Sequence, residues 1–246
     1  MNGHATSSIL TANATSGDYH VTASSGTLAP ANFVLSNTPA GLTLTSYAFY
    51  LSGQEAINNG AGVNSDVLAG ALTVDQNGLV TGGVQDYNDG FGLTSPQPSG
   101  DVISSGTLTV DAKGQGMLTI ATRNLNLGVA GVEVFGVQFV NASHALILQF
   151  DGSATSSGSL DMQNLSTAPS NGSAFTISGA TSGPFALGGV FAFGGNLLNP
   201  IWPGTSDANL GGNVTTNSAF AAQVGAVDSY GRGQMSGLDL GEGRSL

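Results

Sequence analysis

Apolar side chains recur at every second position in short bursts along this chain, and clusters of turn-forming residues separate the bursts. Tyr19, Val21 and Ala23 alternate with His20, Thr22 and Ser24, which predicts a half-buried strand. Pro30 precedes "ANFVLSN", a second strand with Phe33 and Leu35 on one face. From Tyr47 the rhythm is strand, turn, strand: "YAFYLSG" (47–53), "VLAGALTV" (67–74), "LVTGGVQD" (79–86), "SSGTLTV" (104–110), "GMLTIAT" (116–122), "VEVFGVQFV" (132–140), "ALILQF" (145–150) and "SGSLDMQ" (157–163). Between them stand Asp75-Gln76-Asn77-Gly78, Asp111-Ala112-Lys113-Gly114, Asn141 to His144, and Asp151-Gly152. Asn-Gly and Asp-Gly pairs supply the positive φ that tight hairpins need. Eight short sequential strands with hairpin turns predict an all-β chain, an up-and-down antiparallel barrel or a strongly curled sheet.

The chain then repeats itself. "AFYLSG" (48–53) returns as "AFTISG" (174–179), "LAGALTV" (68–74) as "LGGVFAF" (187–193), and "TVDAKGQGM" (109–117) as "AVDSYGRGQM" (226–235), a period of about 117–126 residues. The second copy has no counterpart of "VEVFGVQFV" or "ALILQF". Three segments are expected: residues 1–39, the closing hairpin of a larger domain; 40–165, a complete barrel-like repeat; and 172–246, an incomplete second copy. Both chain ends are expected to cut through domains.

The first hairpin resembles the last two strands of bacterial immunoglobulin-like domains, which commonly end G-x-Y-x-V-T-A, a loop, then P-A-x-F-x-L-x-N. The matching residues are Gly17, Tyr19, Val21, Thr22, Ala23, Pro30, Ala31, Phe33, Leu35 and Asn37. Tyr19 sits where such sandwiches often place a corner tyrosine. The remainder resembles a module of exported repeat proteins of soil bacteria of acidobacterial type. The match runs through Tyr47, Ala48, Phe49, Leu51, Ser52 and Gly53, then Asp75, Asn77, Gly78, Val80, Thr81, Gly83, Val84 and Asp86, then Gly106, Thr107, Val110, Gly114 and Gly116. That resemblance implies an extracellular or cell-surface location and a tandem architecture; it implies no chemistry.

Charge narrows the partners. Four Lys and Arg residues stand against 15 acids, a net charge of −11, so neither a phosphate backbone nor an anionic membrane surface is an expected partner. Only 8% of residues are charged, and solubility rests on Ser, Thr, Asn and the 38 Gly. No cysteine is present, which suits an exported bacterial protein. No apolar run reaches the length of a membrane-spanning helix. "MNGHATSSIL" lacks the basic start and apolar stretch of a signal peptide, so an export signal is expected upstream.

Several residues are candidates for chemistry. His144 follows Ser143 and lies one strand from Asp151, but neighbours on a strand point to opposite faces, and no G-x-S-x-G elbow exists. Asp86, Asn88 and Asp89 in "QDYNDG" offer oxygen ligands for Ca²⁺, yet Gly90 comes one residue too early for an EF-type loop. Glu133, alone among apolar neighbours, is a candidate carboxylate partner for Asp86 or Glu55 in glycoside hydrolysis. Trp202, in "NPIWPG", is a candidate sugar-stacking platform in a Pro/Gly loop, or a lid on a sheet end. Asn13, Asn141, Asn164, Asn171 and Asn213 begin Asn-x-Ser/Thr triplets of the kind chance supplies in so polar a chain. No residue is assigned a catalytic, cofactor or metal role. The sequence is read as a non-catalytic structural or adhesive segment of an exported repeat protein with an unknown glycan or protein ligand. A barrel holding a small apolar ligand is the alternative, and a carbohydrate-active enzyme a third reading.

Overall fold

In a computed structural model every regular element among the described residues is a β-strand. The residues described are 17–37, 45–57, 62–90, 95, 99–150, 154–166, 172–180, 183–192, 201–225, 227–236, 239–241 and 244–245. The chain divides into two compact units between Gln163 and Asn164.

In the first unit, β1 (Gly17–Ala23) and β2 (Ala31–Asn37) form an antiparallel hairpin, a two-stranded sheet by itself. Tyr19 faces Leu35 and Val21 faces Phe33, and Tyr19, Phe33 and Leu35 are exposed. Eight further strands follow: β3 (Thr45–Ile57), β4 (Gly62–Val74), β5 (Leu79–Asn88), β6 (Asp101–Val110), β7 (Gln115–Thr122), β8 (Val132–Asn141), β9 (His144–Gln149) and β10 (Ala154–Gln163). From β4 on, each pairs antiparallel with its predecessor, and β10 returns to β3, closing an up-and-down barrel. The eight predicted segments are the eight barrel strands.

Alternation sets the lumen. Tyr47, Phe49 and Leu51 point inward from β3, Leu68, Leu72 and Val74 from β4, and Phe135 and Val137 from β8; with Leu118, Ile120, Ile147 and Leu160 they fill one continuous core. Tyr47 and Phe139 meet edge to face, ring centroids 6.3 Å apart. Three register shifts break the rhythm: where β4 meets β5 beside Thr73 and Val74, where β6 meets β7 between Ile103 and Ser105, and where β8 meets β9 between Phe139 and Asn141. Glycine lets strands close tightly where they curl. A Cβ on Gly158 would lie 1.7 Å from the Tyr50 carbonyl oxygen of the neighbouring β3.

The second unit is a curled five-stranded antiparallel sheet: β11 (Ser173–Ala180), β12 (Pro184–Phe191), β13 (Ile201–Leu210), β14 (Asn213–Val224) and β15 (Met235–Ser236), in that order. A short pair, β16 (Asp239–Gly241) and β17 (Arg244–Ser245), follows. An incomplete copy with open edges is expected to leave the apolar faces of "LGGVFAF" (187–193) and "SAFAAQV" (218–224) uncovered. Val190 is exposed, but Leu187, Phe220 and Ala222 are buried, because Phe175, Ile177, Phe191 and Met235 pack over them.

Candidate functional site

The two ends of the barrel differ in construction. Tight turns (75–78, 111–114 and 142–143) join strands at one end, and the longer 89–100 and 123–131 connections lie at the other. Long connections are where binding and catalytic groups usually gather. Beneath them the lumen turns polar, and each barrel strand contributes: Glu55 from β3, Asp66 from β4, Gln85 and Tyr87 from β5, Asp101 from β6, Thr122 from β7, Glu133 from β8, Gln149 from β9 and Ser156 from β10. Asp66 and Glu133 are each 1% exposed and Gln85 0%. Ser95 and Leu127, from the two long connections, are buried at this end.

Hydrogen bonds link these groups across strands. Ser156 Oγ donates to Asp66 Oδ2 at 2.5 Å, and Gln85 Nε2 to Glu133 Oε2 at 2.5 Å. Tyr87 donates its hydroxyl proton to Glu55 Oε2 at 2.6 Å. Ser95 Oγ donates to Asp101 Oδ2 at 2.5 Å and accepts from the Tyr87 amide at 2.8 Å, tying a loop residue to two strands. Asn124 Nδ2 adds a bond of 3.2 Å to Asp101 Oδ2. Burial first, then the bond to Glu55 and the charges of Glu55, Asp66 and Asp89, hold the Tyr87 hydroxyl protonated well above the usual tyrosine range. Tyr87 is therefore a fixed donor. Among the described residues, Asp66 Oδ1 and Gln85 Oε1 are buried with no hydrogen-bond partner.

The structure sorts the sequence candidates by face. Glu133 and Glu55 reach the same end of the lumen, and β5 connects them, Gln85 holding one and Tyr87 the other. Asp86 and Asn88 lie on the opposite face of β5, so Asp86 does not join Glu133. Asn88 Oδ1 instead accepts the Gly90 amide at 2.9 Å, an Asx turn that carries Gly90 at φ +84°. Among the described residues no three His, Asp or Glu side chains gather as a metal-binding group.

His144 finds a carboxylate, though a different one from the sequence candidate. Its Nδ1 lies 2.6 Å from Asp161 Oδ1 across the β9–β10 ladder, on the outside of the barrel. Ser159 Oγ donates to the other oxygen of Asp161 at 2.6 Å. Partial burial works against ionisation of Asp161, but the bonds from Ser159 and His144 and the imidazole charge outweigh it, so its carboxyl titrates below the usual range. The carboxylate stands between the hydroxyl and the imidazole, so Ser159 and His144 are joined through Asp161. Ser143 is occupied elsewhere, its amide and hydroxyl both donating to Asn141 Oδ1. Asp151, Asn13 and Asn171 lie outside the described residues.

Trp202 belongs to strand β13, not to a loop, and stacks on Phe191 with centroids 5.2 Å apart. Pro203 is tolerated there because β12 reaches only to Gly204 in register, and the Pro203 carbonyl still accepts the Ala192 amide at 3.0 Å. Asn141 and Asn164 cap turns with their side-chain oxygens, and Asn213 opens β14.

Asp66, Gln85, Asp101, Gln149 and Ser156 were not singled out from the sequence. A signal existed for most of them. Asp66 is in phase with Leu68 and Leu72, Asp101 with Ile103, and Gln149 with Ile147. Gln85 carried none, because the bulge between β4 and β5 changes the phase of its strand.

Fold and site together define an eight-stranded antiparallel barrel filled by its own side chains, with a polar end under its longer loops. No known protein family, curated protein or solved structure matches the chain. No helix among the described residues is long and apolar enough to cross a membrane.

Proposed function

We propose that this chain is a non-catalytic structural or adhesive segment of an exported, cell-surface protein built from repeated β-modules. The filled lumen carries the reading. A transport barrel keeps an apolar cavity of several hundred cubic ångströms, whereas Tyr47, Phe49, Leu72, Leu118, Phe135 and Leu160 occupy this one. A hollow of about 540 Å³ is lined by the exposed Leu146, Leu148 and Phe150 of the barrel wall. A hydrolase needs carboxylates that a substrate can reach, and Asp66, Asp101 and Glu133 are buried and bonded to neighbouring side chains.

Location supports the same reading. The Ser/Thr/Asn/Gly surface, the absence of cysteine and the resemblance to exported repeat proteins all suit an extracellular setting. The repeat is supported by matching contacts. Phe49 covers Gly70 on the adjacent strand, and Phe175 covers Gly189 in the same cross-strand relation. Fractionation of the source cells, probed with an antibody to residues 45–163, tests the proposal. The protein is expected in the envelope or medium, and an exclusively cytosolic signal overturns it.

A further inference from the structure

At the polar end of the lumen one glutamine adjoins two buried carboxylates. Gln85 and Asp101 are direct partners in register between β5 and β6, 0% and 4% exposed. Cβ atoms directly opposed on neighbouring strands lie about 4.5–5.5 Å apart. From the same side chain Gln85 Nε2 donates to Glu133 Oε2, and Glu133 is 1% exposed. The other amide atom, Gln85 Oε1, is buried and among the described residues accepts nothing. The hydrogen bonds from Ser95 Oγ and Asn124 Nδ2 to Asp101 both fall on Oδ2.

Buried charge is costly unless it is paired. Lys113 and Arg123 are the Lys and Arg residues of the first unit; Lys113 stands in the 111–114 turn at the other end of the barrel, and Arg123 is exposed. A water molecule satisfies Gln85 Oε1 but leaves two ionised carboxylates uncompensated, and a proton cancels one of them. A divalent cation cancels both and takes the amide oxygen as a ligand.

We propose that Asp101, Glu133 and Gln85 form a binding site for a calcium ion. The set is two carboxylates and an amide rather than three carboxylates. It is all oxygen, without His or Cys, which suits a hard cation. Water supplies the remainder of the roughly six to eight oxygens that Ca²⁺ takes. Mg²⁺ fits less well, because it demands near-octahedral geometry and sheds its water reluctantly, whereas these ligands are fixed on three different strands. So small a protein ligand set places the dissociation constant at the weak end for calcium sites, about 10⁻⁴–10⁻³ M. Ser95 and Asn124 tie both long connections to Asp101, so the ion also steadies the loops above it.

The test titrates CaCl₂ into the metal-stripped full chain, following bound ⁴⁵Ca²⁺ by equilibrium dialysis and the Gln85 side-chain amide by NMR. One ion per chain is expected, with a saturable shift of that amide that MgCl₂ at the same concentration does not reproduce. At tenfold excess over the dissociation constant, the folded-to-unfolded ratio of the first unit should rise about elevenfold, read as a higher urea midpoint. Asp101→Asn and Glu133→Gln keep the size of each side chain and should each weaken binding about tenfold or more. Asp86→Asn, on the opposite face of β5, should leave binding unchanged. No bound ion at millimolar calcium overturns the proposal and leaves these carboxylates to protons or water. So does binding that is lost with Asp86→Asn, or binding that leaves the Gln85 amide unmoved. The NMR readout uses the wild-type chain, so it decides the matter even where a variant fails to fold.

Discussion

A carboxylate inside a barrel must find donors there, and Glu133 finds one in Gln85 across the lumen. Removing it strands the Gln85 amide in a dry interior and opens a void. Glu133→Ala should therefore destabilise the first unit by about 2–4 kcal/mol in urea unfolding, while Glu133→Gln should cost less. On the outer wall, Asp161 is held below the usual carboxylate range, so the unfolded chain takes up its proton first as pH falls. The stability it contributes is present above the ordinary carboxylate pKa and is lost as pH falls through the lowered value. Thermal melts of Asp161→Asn should differ from wild type at neutral pH and converge with it in acid; a constant gap at every pH would contradict this. The inward carboxylates were readable in part. Glu133 and Asp66 sit two residues from apolar neighbours, which fixes their face, whereas a pairing of Glu133 with Asp86 ignored that Asp86 lies one step out of phase with inward Tyr87.

Strands were easier to read than their phases, because alternation is local and a bulge is a relation between two strands. The turns were more legible still. Asp75, Asp111 and Asp228 each accept two backbone amides on Oδ1, two and four residues ahead, and each precedes by three a glycine at φ +80° to +85°. The shared turn chemistry explains why "TVDAKGQGM" and "AVDSYGRGQM" look alike. The turn at 75–78 shows that this grammar also serves within a single copy. Gly78 and Gly114 go further, their carbonyls accepting the amides of Leu108 and Phe139 from the next strand along. Gly114→Val forces a β-branched residue into the left-handed region and against the Phe139 carbonyl, 3.1 Å from the new Cβ. A loss of about 1–2 kcal/mol is expected, read as a lower urea midpoint at unchanged slope. Trp202 was misread for a related reason: Pro and Gly beside it signal a loop locally, and only the shorter reach of β12 makes room for them in a strand.

Two units that divide between Gln163 and Asn164 should melt separately. A chain ending after residue 165 should keep the melting transition of the barrel, because β10 and β3 close it without any strand from the second unit. Loss of that transition would mean that the two units share one core. The hairpin of β1 and β2, with Phe33 53% exposed and a two-stranded sheet to itself, should exchange its amides far faster than β8 and β9. What distinguishes a structural barrel from a carrier is whether anything else fits inside it. Methyl NMR of the full chain during titration with a fatty acid reads this directly, through the lumen methyls of Leu51, Leu72, Leu118, Ile120 and Leu160. Those signals should stay in place throughout, and a saturable shift shared among them would contradict a filled barrel.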